Sequence, residues 1–301
     1  MFSWLNTTFS GFFNFRVFRV FPWLIYNKNM RIKDIAALIE SIAPLPLQED
    51  YDNAGLQVGD PEQEVTGVVL SLDVTEETVR VAKAQGANLI VSHHPLLFRG
   101  TKQINPRRDY ISRVVIEAIK GDIAIYSAHT NLDNAPMGVN RKISEVLGLT
   151  DVQPLAALSA RQTAGLSADV ARQCGSGMVG ELPEALSVEA FVRKVKELFH
   201  IEALMSNGVD FDPQRPIRKV AVCGGAGDDL IPDAVRKGAD AFLTGEVSYH
   251  LYFGHPEVLI LCGGHFETEQ FTCQLLQDLI HAKYPALPIT IGPKSSPVMV
   301  F

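Results

Sequence analysis

Two adjacent histidines, His93 and His94, close the apolar run Leu89-Ile-Val91 and stand just before Pro95. His129 is followed four residues later by Asp133, and His265 four residues later by Glu269. Thr244-Gly-Glu246 adds another acid after an apolar run. Imidazole and carboxylate without thiolate suit divalent Fe, Mn, Co, Ni or Zn. Two such ions about 3.5–4 Å apart clamp a substrate and generate hydroxide near neutral pH. A lone histidine at a strand end is usually a hydrogen-bonded turn residue. Three such ends, two of them with an acid four residues on, favour a metal site.

These residues need strands whose ends meet. Leu89-Ile-Val91 has the unbroken apolar character of a strand buried on both faces. A strand over Val65–Leu72 precedes it, then a helix that Thr75 caps and Gly86 stops, which makes a βαβ unit. Tyr110–Lys120 has helical spacing, Ile123-Ala-Ile-Tyr126 is a strand opening onto His129, and Val139–Leu147 is a helix ended by Gly148. From Pro216 the pattern returns. Strands over Val220–Cys223, Ala241–Leu243 and Val258–Cys262 lead to Glu246 and His265, and an amphipathic helix runs on to about His281. Ligands in open α/β sheets sit at the carboxyl ends of the strands, where all these polar residues fall.

The two halves also resemble each other. Gly86-Ala-Asn-Leu-Ile-Val-Ser-His-His94 lies on Gly238-Ala-Asp-Ala-Phe-Leu-Thr-Gly-Glu246, and Ile123–His129 lies on Leu259–His265. The expected fold is therefore α/β: two pseudo-repeated modules with mostly parallel sheets, residues 30–150 and 216–301, facing a shared metal cleft. Residues 151–215 read as a small α+β connector lobe. Within residues 216–301, Gly224-Gly225-x-Gly227 is too incomplete for a phosphate loop. Asp52-Asn-Ala-Gly55 reads as turn residues.

Composition sets further bounds. A net charge of −7 argues against a general nucleic-acid surface. Cys174, Cys223, Cys262 and Cys273 form no C-x-x-C pair, which fits reduced thiols and a cytoplasmic protein. Residues 1–29 carry both tryptophans and no acid, and they read as a disordered or extraneous leader. Arg16 comes too late for a secretory signal, and Asn6, Asn14, Arg16 and Arg19 interrupt any span, so no membrane association is expected.

Taken together, Asp52-Asn-Ala-Gly-Leu-Gln-Val-Gly59, Ser92-His-His-Pro95, His129-Thr-Asn-Leu-Asp133, Thr244-Gly-Glu246 and Gly264-His-Phe-Glu-Thr-Glu269 resemble the GTP cyclohydrolase I type 2 / Nif-three-like (YbgI-like) family of dinuclear-metal proteins. Tyr51 stands where that family usually has Trp. The resemblance implies metal ligation by His93, His94, Asp133, His265 and Glu269, and a ring-shaped homohexamer. It casts His129 as the residue holding Asp133 or a bound water in place. His129 and Glu246 are the candidate catalytic residues, and Glu246 and His250 stand where a proton acceptor near the metals could act. The expected activity is hydrolysis of a nucleotide-like or other small anionic substrate by hydroxide on two divalent ions, of the kind the family name implies for GTP. The alternatives are a metal chaperone or insertase, and an interaction protein that metals merely stabilise.

Overall fold

Strand β3 (Leu89–Ser92) is buried along its whole length. Its neighbours account for this: β2 (Val68–Ser71) and β4 (Ala124–Ser127) pair with it in parallel, one on each edge. A computed structural model of the chain describes residues 30–208, 212–293 and 296–299, so the leader expected over residues 1–29 lies outside the described residues. β1 (Gly55–Val58) closes one edge of this first sheet, antiparallel to β4. β11 (Ile289–Ile291) closes the other, parallel to β2.

Side chains alternate across the sheet as a period of two requires. Val69, Ile90 and Ile125 face α2 (Glu76–Gln85) and α3 (Tyr110–Lys120). Thr75 caps α2 by accepting from the Thr78 amide, and Gly86 ends it in the left-handed region at φ +65°. Leu70, Leu89, Val91 and Tyr126 face the other way, into the central core. That core also takes Ile35 and Ile39 of α1 (Ile32–Ile42), both fully buried. Removing such a side chain from water contributes about 1.5–3 kcal/mol.

The second sheet has the order β5 (Thr150–Ala157), β6 (Gly175–Ser187), β8, β9, β10 and β7 (Met205–Ser206). At its centre β8 (Pro216–Ala226), β9 (Ala241–Glu246) and β10 (Leu259–Cys262) run parallel and match β2-β3-β4. Val222, Leu243 and Leu261 face the central core. Ala221, Phe242 and Ile260 face a smaller one shared with Ile231 and Ala234 of α8 (Ile231–Arg236). Helices α5 (Val139–Leu147), α7 (Val188–Phe199) and α10 (Thr272–Lys283) fill the space between the sheets with Ile143, Phe191, Phe199 and Leu276.

Three expectations need correction. Residues 151–215 are not a separate lobe. β5 (Thr150–Ala157) and β6 (Gly175–Ser187), linked through the short α6 (Ala168–Ala171), extend the second sheet, and α7 belongs to the central core. Nor is that sheet mostly parallel, since β5, β6 and β7 (Met205–Ser206) all pair antiparallel. Finally, residues 216–301 do not stay in one module. α10 packs beside α1, and β11 then covers the β2 edge, whose unpaired amides and carbonyls would otherwise stay open.

Candidate metal centre

The polar residues follow directly from the strand ladders. The His93 amide donates to Ser71 O (3.1 Å) and that of His94 to Leu72 O (2.9 Å), which fixes both imidazoles where β3 ends. In the second sheet Gly263 and Gly264 donate to Thr244 O (2.8 Å) and Gly245 O (3.1 Å), which fixes the turn before His265. A short helix follows each turn: α4 (Thr130–Asp133) presents Asp133, and α9 (His265–Glu269) presents Glu269 one turn from His265. The internal repeat is thus visible in the fold, with His129/Asp133 and His265/Glu269 in equivalent places.

The five expected ligand residues converge. Glu269 is 4% exposed and sits among three imidazoles. Its Oε2 lies 2.9 Å from His94 Nε2 and 3.2 Å from His265 Nε2, and its Oε1 lies 3.5 Å from His93 Nε2. Asp133 Oδ1 is 3.5 Å from the same His93 nitrogen. His93, His94 and Glu269 each offer a ligand atom within 4.8 Å of the others.

Hydrogen bonds at the opposite ring nitrogens decide what these imidazoles present. His93 Nδ1 donates to Ala128 O (2.7 Å), His94 Nδ1 to Asp73 (2.9 Å) and His265 Nδ1 to Glu246 (2.7 Å). Carbonyl and carboxylate oxygens only accept, so each Nδ1 carries the hydrogen and each neutral ring turns its Nε2 lone pair inward. His94 Nε2 and His265 Nε2 face each other at 3.2 Å. His93 Nε2 and Asp133 Oδ1 are buried with no hydrogen-bond partner. Lone pairs and carboxylates converging on orphaned buried atoms fit a bound cation.

The electrostatics agree. Burial pushes the Asp133 carboxyl up, only partly offset by His93. Burial acts on Glu269 too, but there His93, His265 and His94 outweigh it and hold the carboxyl well below its ordinary range. Burial opposes charge on His94, yet Asp73 and Glu269 overcome it and push the imidazole up to about 10. His265, against the same burial, is pushed up to about 9 by Glu269 and Glu246. The buried carboxylates require positive charge beside them, and protons supply it when no metal does.

Of the two candidate catalytic residues, Glu246 holds His265 from the solvent side. His129 stands beside the cluster, its ring centroid 5.3 Å from that of His93, and its Nδ1 donates to Asp52 (2.7 Å). Asp52 also accepts from the Thr130 amide (3.0 Å) and hydroxyl, so it is more than the turn residue its sequence suggested. Sequence reasoning also missed Asp73. Its only signal was its place at the end of β2, the same strand-end rule that found the histidines.

Gly225, at φ +62°, lets β8 pass the cluster. A Cβ there would collide with Glu269 Oε1 and lie 3.0 Å from His265 Nε2. Asn140 ties the halves together, accepting from the Gly224 amide (2.9 Å) and donating to Asp133 O (3.2 Å). The cluster opens into a cavity of about 1240 Å³.

Fold and site define an α/β protein built around a His/Glu cluster able to hold a metal ion. The chain belongs to the Duf34/NIF3 (NGG1p interacting factor 3) family, whose model matches residues 30–296. Among its relatives is a GTP cyclohydrolase 1 type 2 homolog of Clostridium perfringens, 38% identical over 245 residues that cover 80% of this chain and 87% of the relative. Similar solved structures include a Bacillus cereus protein related to NIF3 (TM-score 0.78, 27% identity, 91% of this chain and 100% of that one). Another is the Staphylococcus aureus hypothetical protein SA1388 (TM-score 0.79, 25% identity, 90% and 99%). The family expected from the sequence motifs is therefore the one found. No helix among the described residues is long and apolar enough to cross a membrane.

Proposed function

We propose that this chain is a metal-dependent hydrolase of small molecules, with His93, His94, Asp133, His265 and Glu269 as ligands for two divalent ions. The observation that carries the reading is the shared orientation of three imidazoles, each held at Nδ1 by an acceptor and each turning Nε2 towards Glu269. When bound, such ions supply a Lewis-acid clamp and make water acidic enough to ionise near neutral pH.

The rest belongs to the chain's own groups. Glu269 presents one oxygen towards His93 and the other towards His94 and His265, so both oxygens would be available to hold the ions. Asp52 fixes His129 with its hydrogen on Nδ1, which leaves Nε2 to take a proton from water and return it to a leaving group. Glu246 positions His265. The relatives' name suggests ring opening of GTP, and we take the substrate to be nucleotide-like. A cytoplasmic homohexamer completes the reading.

Elemental analysis of protein purified without added metal, paired with turnover assays of wild type, Asp133→Ala and His265→Ala, tests it. The expected result is bound divalent metal and turnover that both variants lose. Metal that transfers rapidly to a chelator with no turnover would instead make the chain a metal carrier. A fall in melting temperature as the variants' only change would leave a metal-stabilised interaction protein.

A further inference from the structure

The cavity beside the cluster has an unusual charge balance. Eight carboxylates line it, whereas no Lys or Arg does among the described residues. Asp133 and Glu269 belong to the cluster, and Asp73 and Glu246 hold histidines. That leaves Glu49, Glu202, Asp229 and Glu267 facing the space, more negative charge than two divalent ions neutralise. Proteins that bind phosphate chains place guanidinium or ammonium groups against them.

Glu49 and Asp229 are notable within this group. Neither has a cationic partner among the described residues, and Asp229 is pushed up by burial and then by its acidic neighbours Asp228 and Glu49. Asn134 and Ser176 orient one Glu49 oxygen, at 2.9 and 3.2 Å. Both carboxylates act on the hydroxyl of Tyr51, which is pushed up to about 12 by partial burial first and then by Glu49 and Asp229.

The same cavity carries an aromatic face. Tyr51 is 67% exposed and meets Phe98 edge-on, with centroids 6.2 Å apart, and Phe98 meets His129 edge-on at 5.9 Å. Two large, accessible rings leading to a candidate proton acceptor suit a planar ligand.

Resting on the hydrolase reading, we propose that the site takes a planar, amino-substituted nitrogen heterocycle free of phosphate. The ring stacks on Tyr51 with Phe98 edge-on beside it, and its N–H edge donates to Glu49 and Asp229. This narrows the nucleotide-like or small anionic substrate expected from sequence to the base end of such a molecule. Outside the cluster, no Lys or Arg among the described residues lines the cavity to meet a triphosphate end.

Calorimetric titration of metal-loaded protein with guanosine and with GTP tests this. Guanosine should bind about tenfold or more tightly than GTP, and Tyr51→Ala should weaken it by about tenfold while Tyr51→Trp retains it. The double variant Glu49→Gln/Asp229→Asn should weaken guanosine and tighten GTP. The proposal is overturned if guanosine fails to bind at millimolar concentration, if GTP binds at least as tightly, or if Tyr51→Ala changes nothing. Binding is read without turnover, so the two readings fail separately. A metal-loaded protein that prefers guanosine and hydrolyses nothing loses the hydrolase and keeps the binding mode. One that hydrolyses GTP without binding guanosine does the reverse.

Discussion

Each imidazole in the cluster is oriented by a group outside it, and that pairing gives single residues distinct consequences. Asp52 touches His129 and Thr130 but none of the five candidate ligands. Asp52→Asn should therefore leave metal content unchanged and lower turnover about tenfold or more, because the tautomer of His129 is no longer fixed. Elemental analysis alongside a pH–rate profile checks it, and loss of metal would contradict it. Gly225 has a steric role. Gly225→Ala forces a methyl group against Glu269 Oε1 at a backbone angle that alanine resists. It should cost about 1 kcal/mol or more of stability and strip metal from the site, as thermal melting and metal analysis would show.

At the level of elements, the two halves are joined by exchange as much as by facing surfaces. β11 leaves the second half to pair at Val68–Leu70 with β2, the strand that leads into Asp73. Truncation after Leu287 would expose the β2 edge, loosen the hold on His94 through Asp73, and lower the melting temperature by several degrees. Scanning calorimetry of the shortened chain checks it, and an unchanged transition would show that β11 contributes nothing to the first sheet. Asn140 makes the matching tie through a side chain, since it bonds the backbone of both Asp133 and Gly224.

Across the whole molecule, one core spans both sheets and the helices between them, so the chain should unfold in a single cooperative step. The cluster at its edge makes that step depend on pH. His94 and His265 hold their protons up to about 10 and about 9 when folded, against an ordinary value of 6.5. A folded-state value above the unfolded one stabilises fully below the unfolded value and ceases to do so as pH rises through the folded value. The metal-free protein should thus lose stability between about pH 6.5 and 10. Metal-loaded protein should melt higher and stay level across much of this window, because the cation replaces the protons as countercharge to Glu269 and Asp133. Melting curves with and without chelator across that range decide it.

The sequence by itself determined which histidines and acids gather in the cluster and that strand ends present them. Apolar runs such as Leu89-Ile-Val91 give out as the strand ends, so the polar residues that follow gather at its carboxyl end, where His93 is wholly buried. Spacings of four, His129 to Asp133 and His265 to Glu269, are local and survive in any fold that keeps the short helix. What only the tertiary structure decided is non-local. Asp52 reaches His129 across 77 positions, and His94 reaches Glu269 across 175. The edge partner of β2 comes from the far end of the chain, and the supposed connector supplies three strands to the second sheet. Hydrophobic period tells a segment that it must be covered and on which face; the identity of the cover is settled only when all segments compete for the same core.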